Sequence, residues 1–342
     1  MRAERAIARI LWSAASCAVR VLTCALLLAA IPWRAGSRTE RVNLFPKLQA
    51  GKTITYQIRF RADKSIRTQS TVVSPLAPSG EQIDVRGLLR MEVVDVRSAG
   101  GKAVIHARTQ FEALHSDTDF KIPELESPPG NVQRGNPHGK IVEFSITADG
   151  RVIGVKGLDA FSPEQQQAWG DWVSLFAMAA AFPEKGVKRG DKWQSVEAEK
   201  SPAPIARLVW LKRSSYVRDE PCRTAQLTIG GQASEANQPP ETCAVILTTA
   251  ALKQQSSRKN ATPEDFKLHE MRTMGTARGT NQVIAYLSLK TGLVVRATEE
   301  ASQSMDVVIA KIDGTNRVHY NVDAKSNSEV LLVANTPLVN YR

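Results

Sequence analysis

The chain has 342 residues, more than the roughly 100 to 200 usual for one domain, so two domains or one large β architecture are the natural starting points. Its 42% hydrophobic and 23% charged residues are ordinary for a folded globular protein and exclude a disordered or low-complexity chain. The formal net charge of +11 invites a nucleic-acid reading, but seven arginines against Glu4 and Glu40 in residues 1–41 supply about half of it. The rest is scattered among acids, which argues against nucleic acid as a partner and leaves only weak peripheral contact with anionic membrane head groups.

The N-terminus reads as a signal peptide over residues 1–36, with the mature protein exported to the periplasm or cell envelope. Arg2, Arg5 and Arg9 form a basic segment, Val21 to Ile31 an apolar run, and Ala35, Gly36 and Ser37 a small-residue exit. A run of about a dozen residues falls short of the roughly 20 that span a bilayer. The stretch from Ala6 to Cys17 is also apolar, so an uncleaved anchor stays open as the alternative. Cys17 and Cys24 stand where a lipid-bearing cysteine would be sought, but neither follows a leucine-led lipobox.

Strands dominate the mature part. Thr53 to Phe60 alternates, with Ile54, Tyr56, Ile58 and Phe60 on one face. Leu88 to Val96 and Lys102 to Arg108 are joined by Ser98-Ala99-Gly100-Gly101, a hairpin signal. Ser162-Pro163-Glu164-Gln165 combines an N-cap, a proline at the first helical position and a capping-box glutamine, and opens a helix to about Ala181. Trp169, Trp172, Val173, Phe176 and Ala180 fall on one stripe of it.

Further strands are proposed at Ala206 to Leu211, Ala225 to Ile229, Ala244 to Thr248, Val283 to Leu289, Leu293 to Glu299, Met305 to Ile312 and Arg317 to Asp323. A shorter helix opens at Thr262-Pro263-Glu264-Asp265 and carries Phe266, Leu268 and Met271. The fold expected is therefore mainly β (α+β), an antiparallel meander with one or two covering helices.

A repeat runs through it. Phe45-Pro46-Lys47 followed by Gly51 to Tyr56 is echoed by Phe182-Pro183-Glu184-Lys185 followed by Gly190 to Trp193. Phe144-Ser145-Ile146 with Gly150-Arg151-Val152 is echoed by Tyr286 to Leu289 with Gly292-Leu293-Val294, and Asp119 to Ile122 by Asp265 to Leu268. Collinear matches of this kind are what an old duplication leaves, giving a first β-rich repeat over 37–181 with its C-terminal amphipathic helix and a second over 182–342. Chance recurrence of common hairpin chemistry is the competing account.

Chemistry-bearing patterns are sparse. Beyond the signal, Cys222 and Cys243 are the remaining cysteines, a disulfide candidate that would clip the segment between them, with two separate thiols as the alternative. There is no C-x-x-C and no histidine pair at metal spacing, and no metal or cofactor is expected. His115, Asp117 and Asp119 alternate, but read better as a polar solvent face; His106, His138, His269 and His319 stand alone. Neither a G-x-S-x-G elbow nor a Walker loop nor a dinucleotide fingerprint occurs. Ser256 to Lys259 fits S-x-x-K only formally, and Arg189-Gly190-Asp191 reads as a turn before Trp193.

The Phe45-Pro46 to Tyr56 entry, its Phe182-Pro183 to Trp193 echo and the closing Leu289-Lys290-Thr291-Gly292-Leu293-Val294 resemble a family of exported bacterial proteins of unknown function. More distantly the pattern is similar to the lipoprotein carriers, in which an antiparallel half-barrel wraps helices and holds acyl chains, a likeness of fold that implies lipid binding only by analogy. The function expected is non-enzymatic, binding of a lipid, an acyl chain or a lipidated envelope protein, with Trp169, Trp172 and Phe176 as candidate ligand contacts. An envelope scaffold using exposed strand edges is the alternative, and a secreted hydrolase the remaining one.

Overall fold

The computed structural model describes residues 40–71, 79–99, 102–121, 139–147, 151–177, 182–183, 185–199, 203–227, 233–235 and 239–334, with backbone alone for 99, 102–103, 112–121, 163–164, 227 and 233–235. Residues 1–36, read from the sequence as a signal peptide, lie outside the described residues, as does His138.

Hydrogen-bonded ladders organise the chain. Strands β1 (Thr53–Ser70), β2 (Ser79–Ala99), β3 (Lys102–Lys121), β4 (Ile141–Ile146) and β5 (Val152–Lys156) form one antiparallel meander. Strands β6 (Lys192–Ala198), β7 (Leu208–Cys222), β10 (Glu241–Gln254), β11 (Met271–Ser288), β12 (Val294–Lys311) and β13 (Val318–Val333) form another. The first strand pairs with the last, Tyr56 opposite Leu332 and Ile58 opposite Val330, so both meanders make one sheet ordered β5-β4-β3-β2-β1-β13-β12-β11-β10-β7-β6. A small hairpin, β8 (Ala225–Leu227) with β9 (Ala233–Glu235), attaches in parallel to the end of β13. The open edges are β5 and β6.

The two echoing entries occupy like places. Gly51 and Gly190 both turn with positive φ, 78° and 89°, a conformation that costs glycine least. Each donates its backbone N–H at 2.8 Å to the second strand of its meander, Gly51 to Val93 and Gly190 to Tyr216.

Between β5 and β6 the chain forms a 3-10 turn (Leu158–Ala160) and helix α1 (Pro163–Ala177). The capping box reads out as expected: the Gln165 N–H donates to Ser162 Oγ at 3.4 Å, and the Ser162 N–H to Gln165 Oε1 at 3.1 Å. Helix α2 is shorter than its sequence suggested, Glu264–Leu268. Met271 is the first residue of β11, not helical, and Leu268 is 82% exposed, so this helix covers no core.

The core lies where α1 meets the sheet. Odd or even residues of each strand face the helix according to register, as a pleat requires. Ile54, Tyr56 and Ile58 of β1, Leu89 and Met91 of β2, Phe144 of β4, Ala285 of β11, Ala297 of β12 and Val330 of β13 all join α1 in one buried cluster. Leu44 and Leu48, ahead of β1, plug its mouth. Their chain passes so close to the β11–β12 turn that a Cβ on Gly292 would meet Phe45 O at 2.4 Å. Cys222 and Cys243 are disulfide-bonded, with Cα atoms 5.8 Å apart, tying the end of β7 to the start of β10.

Candidate functional site

The candidate ligand contacts of α1 sit in the middle of this core. Trp169, Trp172 and Phe176 are 2%, 1% and 1% exposed. Trp172 stacks on Phe176 at 5.8 Å and meets Tyr56 edge-on at 6.0 Å, while Trp169 meets Phe144 at 5.4 Å. The Trp169 indole donates to Thr109 Oγ1 at 3.1 Å, and the Tyr56 hydroxyl to Val294 O at 3.1 Å. Burial raises the Tyr56 phenol further above its usual range. Packed in this way, the three α1 rings fill space between helix and sheet.

The face beneath α1 continues past it. Strands of 16 to 18 residues rise about 3.3 Å per residue, far longer than the helix, so the distal halves of β1, β11, β12 and β13 extend beyond it. Register places Ala277 opposite Met305, Met305 opposite Val322, Val307 opposite Tyr320 and Ile309 opposite Val318, with Ile66 opposite Val322 on the far side. All share the α1 face, and all are apolar or aromatic. Ile205, Leu208, Leu252 and Ala261 cover the β7–β11 side, but Met305, Ile309, Val318, Tyr320, Val322 and Ile66 stay partly open. A cleft of about 90 Å³ opens there between Leu208, Leu252, Ala277, Met305, Val322 and Ala324, with Glu199 and Gln303 at its polar side.

The opposite face of the same strands is mostly polar, with Met274, Val308 and Ala310 its apolar exceptions. Arg67 pairs with Asp323 at 3.5 Å, His319 Nε2 with Asp306 Oδ1 at 2.6 Å, and Asn321, Ser304 and Arg278 fill the places between. Charges at that density suit water and would be costly on a lipid-facing barrel wall.

A carboxyl pair divides the filled half from the open half. Asp171 of α1 accepts a hydrogen bond from Ser328 Oγ at 3.0 Å, and Ser328 is the register partner of Glu299. Glu299 in turn accepts one from Asn281 Nδ2. Burial and the neighbouring Glu299 push the Asp171 carboxyl up to about 8, and burial raises Glu299 as well, against the Asn281 hydrogen bond and the charge of Lys212. Lys212 itself pairs with Glu197, and the Trp210 indole donates to Glu199 at 2.8 Å.

Other sequence candidates are dispersed. His115, Asp117 and Asp119 lie on β3 opposite Arg86, Asp84 and Gln82, where the backbone alone is described. Ser256 Oγ donates to Ala206 O at 2.8 Å in a turn, and Arg189 to Asp191 forms the turn into β6. Among the described residues no cluster of three metal-ligating side chains occurs, and no helix is long and apolar enough to cross a membrane. Sequence reasoning missed Asp171, Glu299 and the open distal stripe. The available signal was Asp171 itself, a lone carboxylate beside the apolar stripe between Ala168 and Leu175.

No protein-family model and no curated protein matches the sequence. Among solved structures, it is similar to lipovitellin, in a structure describing lipid–protein interactions, at TM-score 0.39 and 12% identity over 83% of this chain. That match spans about a quarter of the lipovitellin chain, 25%. A candidate lipoprotein from Parabacteroides distasonis matches at TM-score 0.21 and 8% identity, covering 86% of this chain and 98% of that one. OpdQ of Pseudomonas aeruginosa matches at TM-score 0.21 and 6% identity, covering 82% and 99%.

Proposed function

We propose that the protein is a non-enzymatic cell-envelope protein that holds the apolar chain of a lipid, or of a lipidated partner, on the distal half of its inner face. One observation carries the reading. A stripe of Ile66, Met305, Ile309, Val318, Tyr320 and Val322 stays partly open to solvent on the face whose other end is packed under α1, while the other face of the same strands is mostly polar. Apolar surface kept open and grouped in this way marks a binding surface more often than a solvated one. Placement in the envelope rests on the basic and apolar N-terminus.

Native mass spectrometry of the purified full chain incubated with palmitate tests the reading. Uptake at fixed stoichiometry is expected, and Ala324→Trp, which fills the cleft beside Met305 and Val322, abolishes it without loss of folding. A clean apo mass at saturating palmitate sinks the proposal. The second reading, an envelope scaffold, draws on β6, an open edge where Val196 is 65% and neighbouring Leu211 38% exposed. It predicts a concentration-dependent dimer or polymer by analytical ultracentrifugation and no bound lipid.

A further inference from the structure

We infer that the Asp171–Ser328 hydrogen bond, with Glu299 beside it, is a proton-dependent latch that sets how firmly α1 covers the inner face, and so how much of that face a chain can occupy. The inference rests on the inner face being the ligand site. The latch is local and geometric. Ser328 Oγ reaches Asp171 from β13 at 3.0 Å, and the register of β12 with β13 puts Glu299 beside that serine. The two carboxyls therefore come from the helix and from the sheet it covers, and both neighbour Ser328 at the border between the packed core and the open stripe.

The groups around them leave little to neutralise a second charge. Asn281 of β11 serves Glu299, Lys212 of β7 is shared with Glu197, and Glu199 after β6 adds a further acid. The β1 and β2 residues under α1 are Ile58, Phe60, Val85 and Leu89, uncharged, with Tyr56 donating to Val294 O. From β5, Lys156 is exposed. Packed down, Asp171 is best served by keeping its proton beside Glu299; lifted away, it meets water and ionises in its ordinary range.

Proton linkage sets the sign. The covered state holds a proton that the uncovered state gives up, so cover weakens as pH rises. The window runs from roughly 4 to 8, and opening grows by up to about tenfold per pH unit inside it. Lifting α1 exposes Trp169, Trp172 and Phe176 together with Tyr56 and Phe144, a second apolar area on the same face beyond the Glu299–Ser328 belt.

Hydrogen exchange of the full chain without ligand tests the latch, read by mass spectrometry from pH 5 to 8.5 and corrected for intrinsic exchange. Peptides of α1 should lose at least tenfold protection relative to those of β11 and β12. Asp171→Asn should make α1 protection independent of pH, and Glu299→Gln should shrink the dependence if the first variant fails to fold. Flat α1 protection in the unmodified chain overturns the inference, as does the same slope in both variants. Palmitate uptake is read separately: its absence with the slope intact overturns the ligand reading and leaves the latch standing.

Discussion

Two halves of one face, built from the same strands, treat apolar side chains differently. In the proximal half, α1 and the Leu44–Leu48 segment arrive from outside the sheet and close over Tyr56, Phe144 and Ala285, leaving these at most 1% exposed. In the distal half, among the described residues, Ala203, Ile205 and Ala261 come over the sheet, and they stop at the β7–β11 side. Met305, Val318, Tyr320 and Val322 are as apolar as their proximal counterparts, yet among the described residues β12, β13 and β1 have no covering element there. The difference lies in cover, not in strand sequence. Stability should therefore reside in one half and binding in the other.

Substitutions can break that division, and the largest effect belongs to the filled half. Trp172→Ala, at 1% exposure and in contact with four other rings, should cost roughly 3–5 kcal/mol in urea unfolding. Reducing the Cys222–Cys243 bond, which spans 21 residues, should lower stability by roughly 3 kcal/mol on the chain-entropy account, seen as a lower denaturation midpoint under reductant.

Asp171→Asn should act in the other direction. A carboxyl held above its usual range is protonated in the fold while the unfolded chain has already ionised, so native stability falls from about pH 4 to about pH 8 and then levels. The variant should remove that fall, gaining roughly 1–2 kcal/mol at pH 8 and nothing near pH 4. Ser162→Ala, which breaks the α1 capping box, should cost about 1 kcal/mol. Met305→Ala, in the open half, should cost less than about 1 kcal/mol and yet weaken palmitate uptake in a dialysis assay. An effect on stability as large as that of Trp172→Ala would erase the distinction between the halves.

Much of the fold was legible because the local signals agree. Alternation marked β1 at Ile54 to Phe60, the capping box marked α1, and the Ser98 to Gly101 stretch marked the β2–β3 hairpin. Strand length was not legible. Glu299-Glu300-Ala301-Ser302-Gln303-Ser304 shows no alternation, so the sequence breaks β12 into two pieces, while the ladder to β11 and β13 carries it unbroken from Val294 to Lys311. The same happens in β11, whose sequence places Met271 in the short helix and carries no strand signal from Arg272 to Gln282.

The site was hidden for the same reason. Its residues come from strands far apart in the chain, and only pairing β1 with β13 brings Ile66 beside Val322. The α1 rings attracted attention because their spacing is local, and packing turned them inward. That the two meanders derive from a duplication is a proposal that the matched Gly51 and Gly190 turns support.

The central claim is that a chain binds on the distal half, and a brominated fatty acid tests it most directly. Trp210 borders that half and is partly exposed, whereas Trp169 and Trp172 lie buried under α1. Bromine quenches indole fluorescence only at close range, so titration at pH 5, where the cover is firm, should quench the unmodified chain saturably and leave Trp210→Phe unquenched. Equal quenching in both would place the chain away from the distal half, and either that or no quenching in the unmodified chain would contradict the account.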